Sequence, residues 1–582
     1  MKNKSILSVF FLLNLISAWA ADITFYASSS VQYLYSDSYN NITISQGAFV
    51  VANGVSITIG DGNIITIEKG GVLKLTNSNI SRQVNSTSQW LGINIIGSPN
   101  VDQQSQNLDS YLFFNGSPNY GTMQQGLLYC EGSTISYAKN AIYSAGATGG
   151  GYCYAVNTNF YNNANSIYLT NYTAFQQASI IRWCTFDNPD YLPAGSTYYH
   201  IYLDNASINP NAMTPVFSRN YSQSFTIDGC NFNNSKKYSN LIGTNIVSCY
   251  VNVWYSNYKY LKVGLKLDRG IYTNTSASIV VCNFDRCDRG IIATGLNNLW
   301  VNNCIFQINR STYYGMYTGV VPSRNPVGLY IAGCAHYTVA NSLFDKAASF
   351  TGANTGSYGL VVDGNAPFGY EMISNNTFTD VHIGVQSQNE NQASFLKCNK
   401  FSFGNAATAT FSYDVVIASG ALLPHSGCGN SGSYYSIIPG NTFSPNVVSS
   451  DRNIYIPSSN TTYSTVNKFQ YNFGSYPADE EPKYCTTTLV KTLPCYKISA
   501  CNSKLSSPAS FSNYFVFLND AKSRYDSLLQ ANSTDTGDID MHYFYKNYFL
   551  TCMAASITDT LQYDSLVAVL TNDTSFTAKY IL

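Results

Sequence analysis

Two charged phrases are the residues best placed to do chemistry. Leu267-Asp268-Arg269-Gly270-Ile271 is echoed twenty residues later by Cys287-Asp288-Arg289-Gly290-Ile291, with Asp285 and Arg286 just ahead of the second phrase. Carboxylates that converge on one face act as acid, base or nucleophile at a glycosidic bond. A carboxylate crowded by another charge also has a shifted pKa. If twenty residues are one coil of a repeat, Asp268 lies over Asp288 and Arg269 over Arg289. Asp268, Asp285, Asp288, Arg269 and Arg289 are therefore the candidate catalytic residues, and the same patch suits a uronic-acid chain. A corner ladder, in which each Asp pairs with the Arg of the next coil, accounts for the same residues. It is the stronger reading, because charge clusters are more often structural than catalytic.

Other chemistry has little support. His200, His336, His382, His425 and His542 are scattered without metal-ligand spacing, which favours loop or surface positions. No Gly-x-Ser-x-Gly elbow occurs. The run Gly146-Ala147-Thr148-Gly149-Gly150-Gly151 is not followed by a helix with a lysine, so it is not a phosphate cradle. No cofactor and no metal site is expected. The chain has 15 Cys, an odd number, so not all can pair internally. Cys485, Cys495, Cys501 and Cys552 cluster late in the chain, where disulfides are plausible in an oxidising compartment.

The elements that must position these residues come from a repeated phrase: a small residue, any residue, then Phe. It occurs at Cys184-Thr185-Phe186, Cys230-Asn231-Phe232, Cys282-Asn283-Phe284, Cys304-Ile305-Phe306, Ser342-Leu343-Phe344, Asn376-Thr377-Phe378, Asn399-Lys400-Phe401 and Asn441-Thr442-Phe443. Several neighbouring Phe lie 22 to 26 residues apart, while Phe186 to Phe232 and Phe232 to Phe284 read as double steps. A period of this size means stacked units, none able to bury its own apolar face. Positions i and i+2 of a strand share a face, so the small residue and the Phe point inward. Six and seven residues after the anchor a second signal recurs, as Ala141-Ile142, Ser166-Ile167, Gly290-Ile291 and Gly384-Val385. It marks a tight corner and the start of the next strand. The apolar spacing of two argues against helical repeats. The expected fold is all-β: a right-handed parallel β-helix solenoid with an N-terminal cap and a small C-terminal helical region.

The ends and the composition bound the setting. Lys2 and Lys4, an apolar run from Ile6 to Trp19, and Ala18-Trp19-Ala20 read as a secretory signal over 1–20. Residues 21–60 read as the cap and first coils, 61–450 as β-helix, 451–505 as a Cys-containing linker and 506–582 as helical. The chain stops at Leu582 without a closing module, which a truncated reading frame or a small helical cap would each explain. Charged residues are 11% of the chain, against about 25% in ordinary domains. Without the two signal lysines the balance is 29 basic to 32 acidic residues, which is no footprint for nucleic acid. No stretch is long and apolar enough for a membrane span. The oligomeric state stays open.

These repeats resemble the right-handed parallel β-helix (pectate-lyase-like) superfamily, over roughly residues 40 to 450. Gly70-Gly71-Val72-Leu73-Lys74-Leu75-Thr76-Asn77 followed by Trp90-Leu91-Gly92-Ile93 is also similar to exported β-helix surface proteins of Bacteroidetes-type bacteria. The resemblance implies a secreted or surface-exposed protein. The polygalacturonase pattern would need Asn-Thr-Asp and an Asp-Asp pair. Residues 157–159 read Asn-Thr-Asn, and no Asp-Asp pair occurs. The reading is a binding, adhesive or structural scaffold for polysaccharide or cell-surface glycans. The alternative is a polysaccharide lyase or glycoside hydrolase acting on a uronic-acid polymer.

Overall fold

A computed structural model describes residues 20–455, apart from 85, 87, 102, 104–122, 173–176, 191, 193–195, 206–223, 271–274, 309–324, 348–355, 365–370, 392–393, 398, 403–412, 421–440, 442 and 445–451. The expected signal, the Cys-containing linker beyond 455 and the helical region lie outside the described residues. Every strand pairing is parallel, and each strand bonds to its counterpart one coil away. The chain is a parallel β-helix with three faces. The first is a 13-stranded sheet running from Gln32–Tyr33 to Ser394–Lys397. The second carries the short Phe strands, from Ser56–Ile59 to Lys400–Ser402. The third runs from Ile64–Ile67 to Arg452–Tyr455. Strand Asp37–Ile44 pairs with both Ser56–Ile59 and Ile64–Ile67, which joins faces two and three into one 27-stranded sheet. Strand Ala21–Phe25 lies against it.

The core is an aromatic column. Phe160, Phe186, Phe232, Tyr258, Phe284, Phe306, Phe344, Phe378, Phe401 and Phe443 stack with ring centroids 4.5 to 5.8 Å apart and planes within 10° of parallel. The spacing follows the distance between strands, about 4.8 Å. Each stacked pair adds roughly 0.5–1.5 kcal/mol beyond its burial. Ile57, Ile80 and Ile135 hold the same position in the earlier coils. The register corrects the coil count. Phe186 and Phe232 are direct neighbours, separated in sequence by an insertion, and the coil between Phe232 and Phe284 is Ser256-Asn257-Tyr258. A motif restricted to Phe passes over it.

The column needs backbone without side chains opposite it. Gly243, Gly264, Gly290, Gly328, Gly359 and Gly384 form that ladder on face three. A Cβ on Gly290 would sit 2.4 Å from the Gly328 carbonyl and 2.9 Å from the Phe306 ring. This is the small residue of the second sequence signal.

The connection from face one to face two is always two residues, from Asn53–Ser56 to Lys397–Lys400. From Asn77–Ser78 to Asn375–Asn376 the first residue is left-handed and the second is the inward small or polar residue. The slot manages buried amides. Ser256, Ser342, Asn376, Asn399 and Asn441 each accept, at a side-chain oxygen, the N–H of the slot residue one coil earlier. The thiols of Cys230, Cys282 and Cys304 point at backbone carbonyls. All nine described cysteines are buried, and burial raises the thiol pKa of Cys130, Cys230 and Cys282 far above its ordinary value.

Two outcomes are expected. Gly290→Ala will destabilise the fold by about 1–3 kcal/mol, the usual cost of overpacking, read as a lower denaturation midpoint. The nine buried thiols will resist alkylation in the native protein and react on unfolding, because the thiolate is the nucleophile; mass spectrometry counts the adducts.

Candidate functional site

The register separates the charged phrases. Asp268 ends strand Val263–Asp268 and is level with Thr294, whereas Arg289 begins strand Arg289–Thr294 and is level with Val263. Asp268 and Asp288 therefore stand at opposite ends of face three, about 20 Å apart at roughly 3.3 Å per residue. The expected stacking of Asp268 on Asp288 and of Arg269 on Arg289 does not occur. Twenty residues is less than the 26 that separate strand equivalents here, such as Val263 and Arg289.

Four of the five candidates have local work. Asp268 Oδ1 accepts the Gly270 N–H at 2.9 Å, shaping the corner after its strand. Arg269 lies against Gly295 of the next coil. Asp285 is buried and takes two bonds from Arg286, each 2.7 Å, with Lys259 at 3.5 Å. Arg289 lies 5.2 Å over the Tyr330 ring, and Tyr330 donates to Asp363. Gln388 donates to both the Tyr330 hydroxyl, at 3.2 Å, and Asp363, at 2.8 Å. Asp288 is exposed at the start of its strand. Its carboxyl is pushed up by the surrounding protein and held back by Lys262 and Arg289, with solvent screening limiting the effect.

Two surface features escaped the motif search. The first is the corner between faces one and two. Its left-handed position is occupied by Gly54, Asn77, Gly132, Asn157, Trp183, Gly229, Tyr255, Val281, Asn303, Asn341 and Asn375. Glycine and asparagine suit that conformation. Trp183, Tyr255 and Val281 do not, and a bulky residue there costs about 1–3 kcal/mol. They are also 54%, 41% and 40% exposed. Beside them runs an outward amide ladder, Asn231, Asn257 and Asn283, with Asn257 donating to Asn231 at 3.0 Å. The nearby charges Arg182 and Asp228 pair with each other at 3.2 Å.

The second feature is the corner between faces two and three. Lys237, Lys259 and Arg286 stand 4.9, 5.3 and 4.4 Å from the centre of the Tyr260 ring. The signal was present in the sequence as a charge imbalance. Residues 236–289 hold eight Lys and Arg against three Asp.

Two buried ionisable groups are structural. His200, expected on a loop or surface, is buried at the Gly-ladder position level with Gly243. Its ring lies 5.8 Å from Phe186, and Nε2 is 2.8 Å from the Asn233 carbonyl oxygen. Burial pulls its pKa down to about 4 despite that bond. Glu371 points into the lumen, level with Tyr337 and Ser394. Ser394 donates to its Oε2 at 3.0 Å, while Oε1 has no hydrogen-bond partner among the described residues. Burial pushes this carboxyl up to about 8. Among the described residues no group of three or more His, Cys, Asp or Glu is arranged to hold a metal, and no helix is long and apolar enough to cross a membrane.

These groups predict opposite pH limbs. Folded Glu371 keeps its proton up to about pH 8 while the unfolded chain loses it near 4.5, so its contribution falls as pH rises across that window. Glu371→Gln will match the parent in stability near the acid end and exceed it near pH 8 and above. Folded His200 stays neutral down to about pH 4 while the unfolded chain protonates near 6.5, so its contribution is lost as pH falls. Unfolding titrations at several pH values check both signs.

No protein-family model matches this chain, and no curated protein matches it.

Proposed function

We propose that this protein is an exported scaffold that binds glycans through the corner between faces one and two. The observation that carries the reading is the exposure of Trp183, Tyr255 and Val281 at strained backbone positions where most other coils use Gly or Asn. Strain of this kind persists where function uses it. Cations also lie over aromatic rings at this corner and the next, Arg182 over Trp183 at 5.3 Å and Arg82 over Tyr137 at 4.3 Å, yet Trp183 stays 54% exposed. Flat apolar rings beside a row of amides suit a sugar chain, which offers C–H faces and hydroxyls together. The tight two-residue corner carries no insertion in any coil, so the row is continuous. The secretory signal read in the sequence and the resemblance to pectate-lyase-like proteins support an extracellular setting.

The carboxylates support binding over cleavage. Asp228, Asp268, Asp285, Asp363 and Asp414 are each held in a defined bond or ion pair, and Glu371 lies inside the lumen. The raised pKa of Asp288 beside Lys262 and Arg289 favours a second reading, cleavage of a uronic-acid polymer. Release of short sugars from polygalacturonate, abolished by Asp288→Asn with the fold intact, would establish it.

The binding reading predicts an uncommon combination. Trp183→Asn and Tyr255→Asn install a residue that suits the left-handed corner, so the melting temperature will hold or rise. Affinity for an immobilised glycan will fall by about tenfold or more if these rings are the anchors. Lowered stability with unchanged binding would make them packing residues.

A further inference from the structure

The structure assigns a separate anion-binding site to the corner around Tyr260, for the carboxylate or sulfate groups of an acidic polysaccharide. The inference rests on the scaffold reading only in taking the ligand to be a glycan; the site and its residues are different.

The argument is electrostatic. Lys237, Lys259 and Arg286 come from three successive coils, one set by Phe232, one by Tyr258 and one by Phe284. All three converge within 5.3 Å of one ring. Like charges stacked on neighbouring strands repel. The single carboxylate in the cluster, Asp285, serves both Lys259 and Arg286, and among the described residues no ion pair is found for Lys237. Exposed Lys236 adjoins Lys237 in sequence, while Asp288 offsets Lys262 and Asp187 accepts the Ser235 N–H at the rim. The chain elsewhere carries a small acidic excess, since its formal net charge is −1 despite this basic stretch. A solenoid that merely needed solubility has no reason to collect its cations here, and a bound anion removes the repulsion.

The arrangement also says what kind of anion fits. The cations are spread along the solenoid axis at the strand spacing, about 4.8 Å per coil. A polymer with repeated charges meets such a row better than a single small ion. Tyr260 at the centre offers a ring between the charges. Charged residues are only 11% of the whole chain, which confines the attraction to this corner.

The test uses the full chain after removal of the signal, with heparin, polygalacturonate, neutral dextran and duplex DNA as probes. Heparin or polygalacturonate should bind and weaken as salt rises, because exposed charges are screened; dextran should show no binding that depends on Lys237 or Lys259. Binding of polygalacturonate shows that carboxylates suffice, whereas binding of heparin alone, which carries both groups, points to sulfate. The double variant Lys237→Gln/Lys259→Gln should lose about tenfold in affinity for the acidic polymer, with an unchanged melting temperature. Lys237→Glu alone, on an exposed turn, is the second check and should weaken binding further than Lys237→Gln. Unchanged affinity in the double variant, or absence of acidic-polymer binding, overturns the inference. Equal retention of DNA at physiological salt also overturns it, since that is general polyanion attraction. Loss of glycan binding in Trp183→Asn with no acidic-polymer binding sinks this site and leaves the first proposal standing. Lysine-dependent heparin binding with no effect at Trp183 or Tyr255 does the reverse.

Discussion

A flat ring against a bare backbone is the contact on which the rest of this molecule depends. From Tyr258 to Phe401 each ring of the column rests on a glycine of face three, with less room than one methyl group requires. The column and the glycine ladder therefore specify each other. Together they set the coil width, keep face three in register and leave the second face only three or four residues long. Where the ladder departs from glycine, the ring environment changes with it. His200 replaces glycine between Phe186 and Phe232, and is held neutral by the apolar stack around it. A buried imidazole is tolerated because its one polar contact goes to a neighbouring carbonyl.

The tight corner beside the column converts this internal regularity into a surface. Its inward residue can be Ser, Thr, Cys or Asn, since each supplies a polar or polarisable atom to nearby backbone groups. Its outward residue contributes nothing to the core, so it is open to other demands. Gly and Asn suit the left-handed backbone there. Trp183, Tyr255 and Val281 add bulk that the corner does not require, and the indole of Trp183 excludes any side chain at Gly229, where a Cβ would lie 2.3 Å from it. The longer connections fall at the other two corners, so coil length varies while the strands of the column keep their register.

Charge follows the same division. Carboxylates near the core are consumed in corner hydrogen bonds, and the lumen carboxyl of Glu371 is kept neutral by burial. Cations gather at one corner, around one ring. In a chain with so few charges such local excess has large relative weight, because little else competes with it.

The period-two phrase, small residue then Phe, determined by itself that the chain stacks parallel strands with those residues inward, because alternation leaves no other way to bury them. The small residue six positions on was legible too, as at Gly290 and Gly384. Cys184, Cys230, Cys282 and Cys304 were readable as buried packing thiols, since small apolar residues fill that slot. What the sequence left open was which residues from different coils meet. Coil length varies with each insertion, so counting residues put Asp268 over Asp288, and hydrogen-bond register placed them at opposite ends of a face. Tyr258 was hidden because it fills a Phe position under another name. The meeting of Lys237, Lys259 and Arg286 at Tyr260, and the exposure of Trp183, were decided only by the tertiary structure. Local pattern sets which way a side chain points; register alone sets which side chains stand above it.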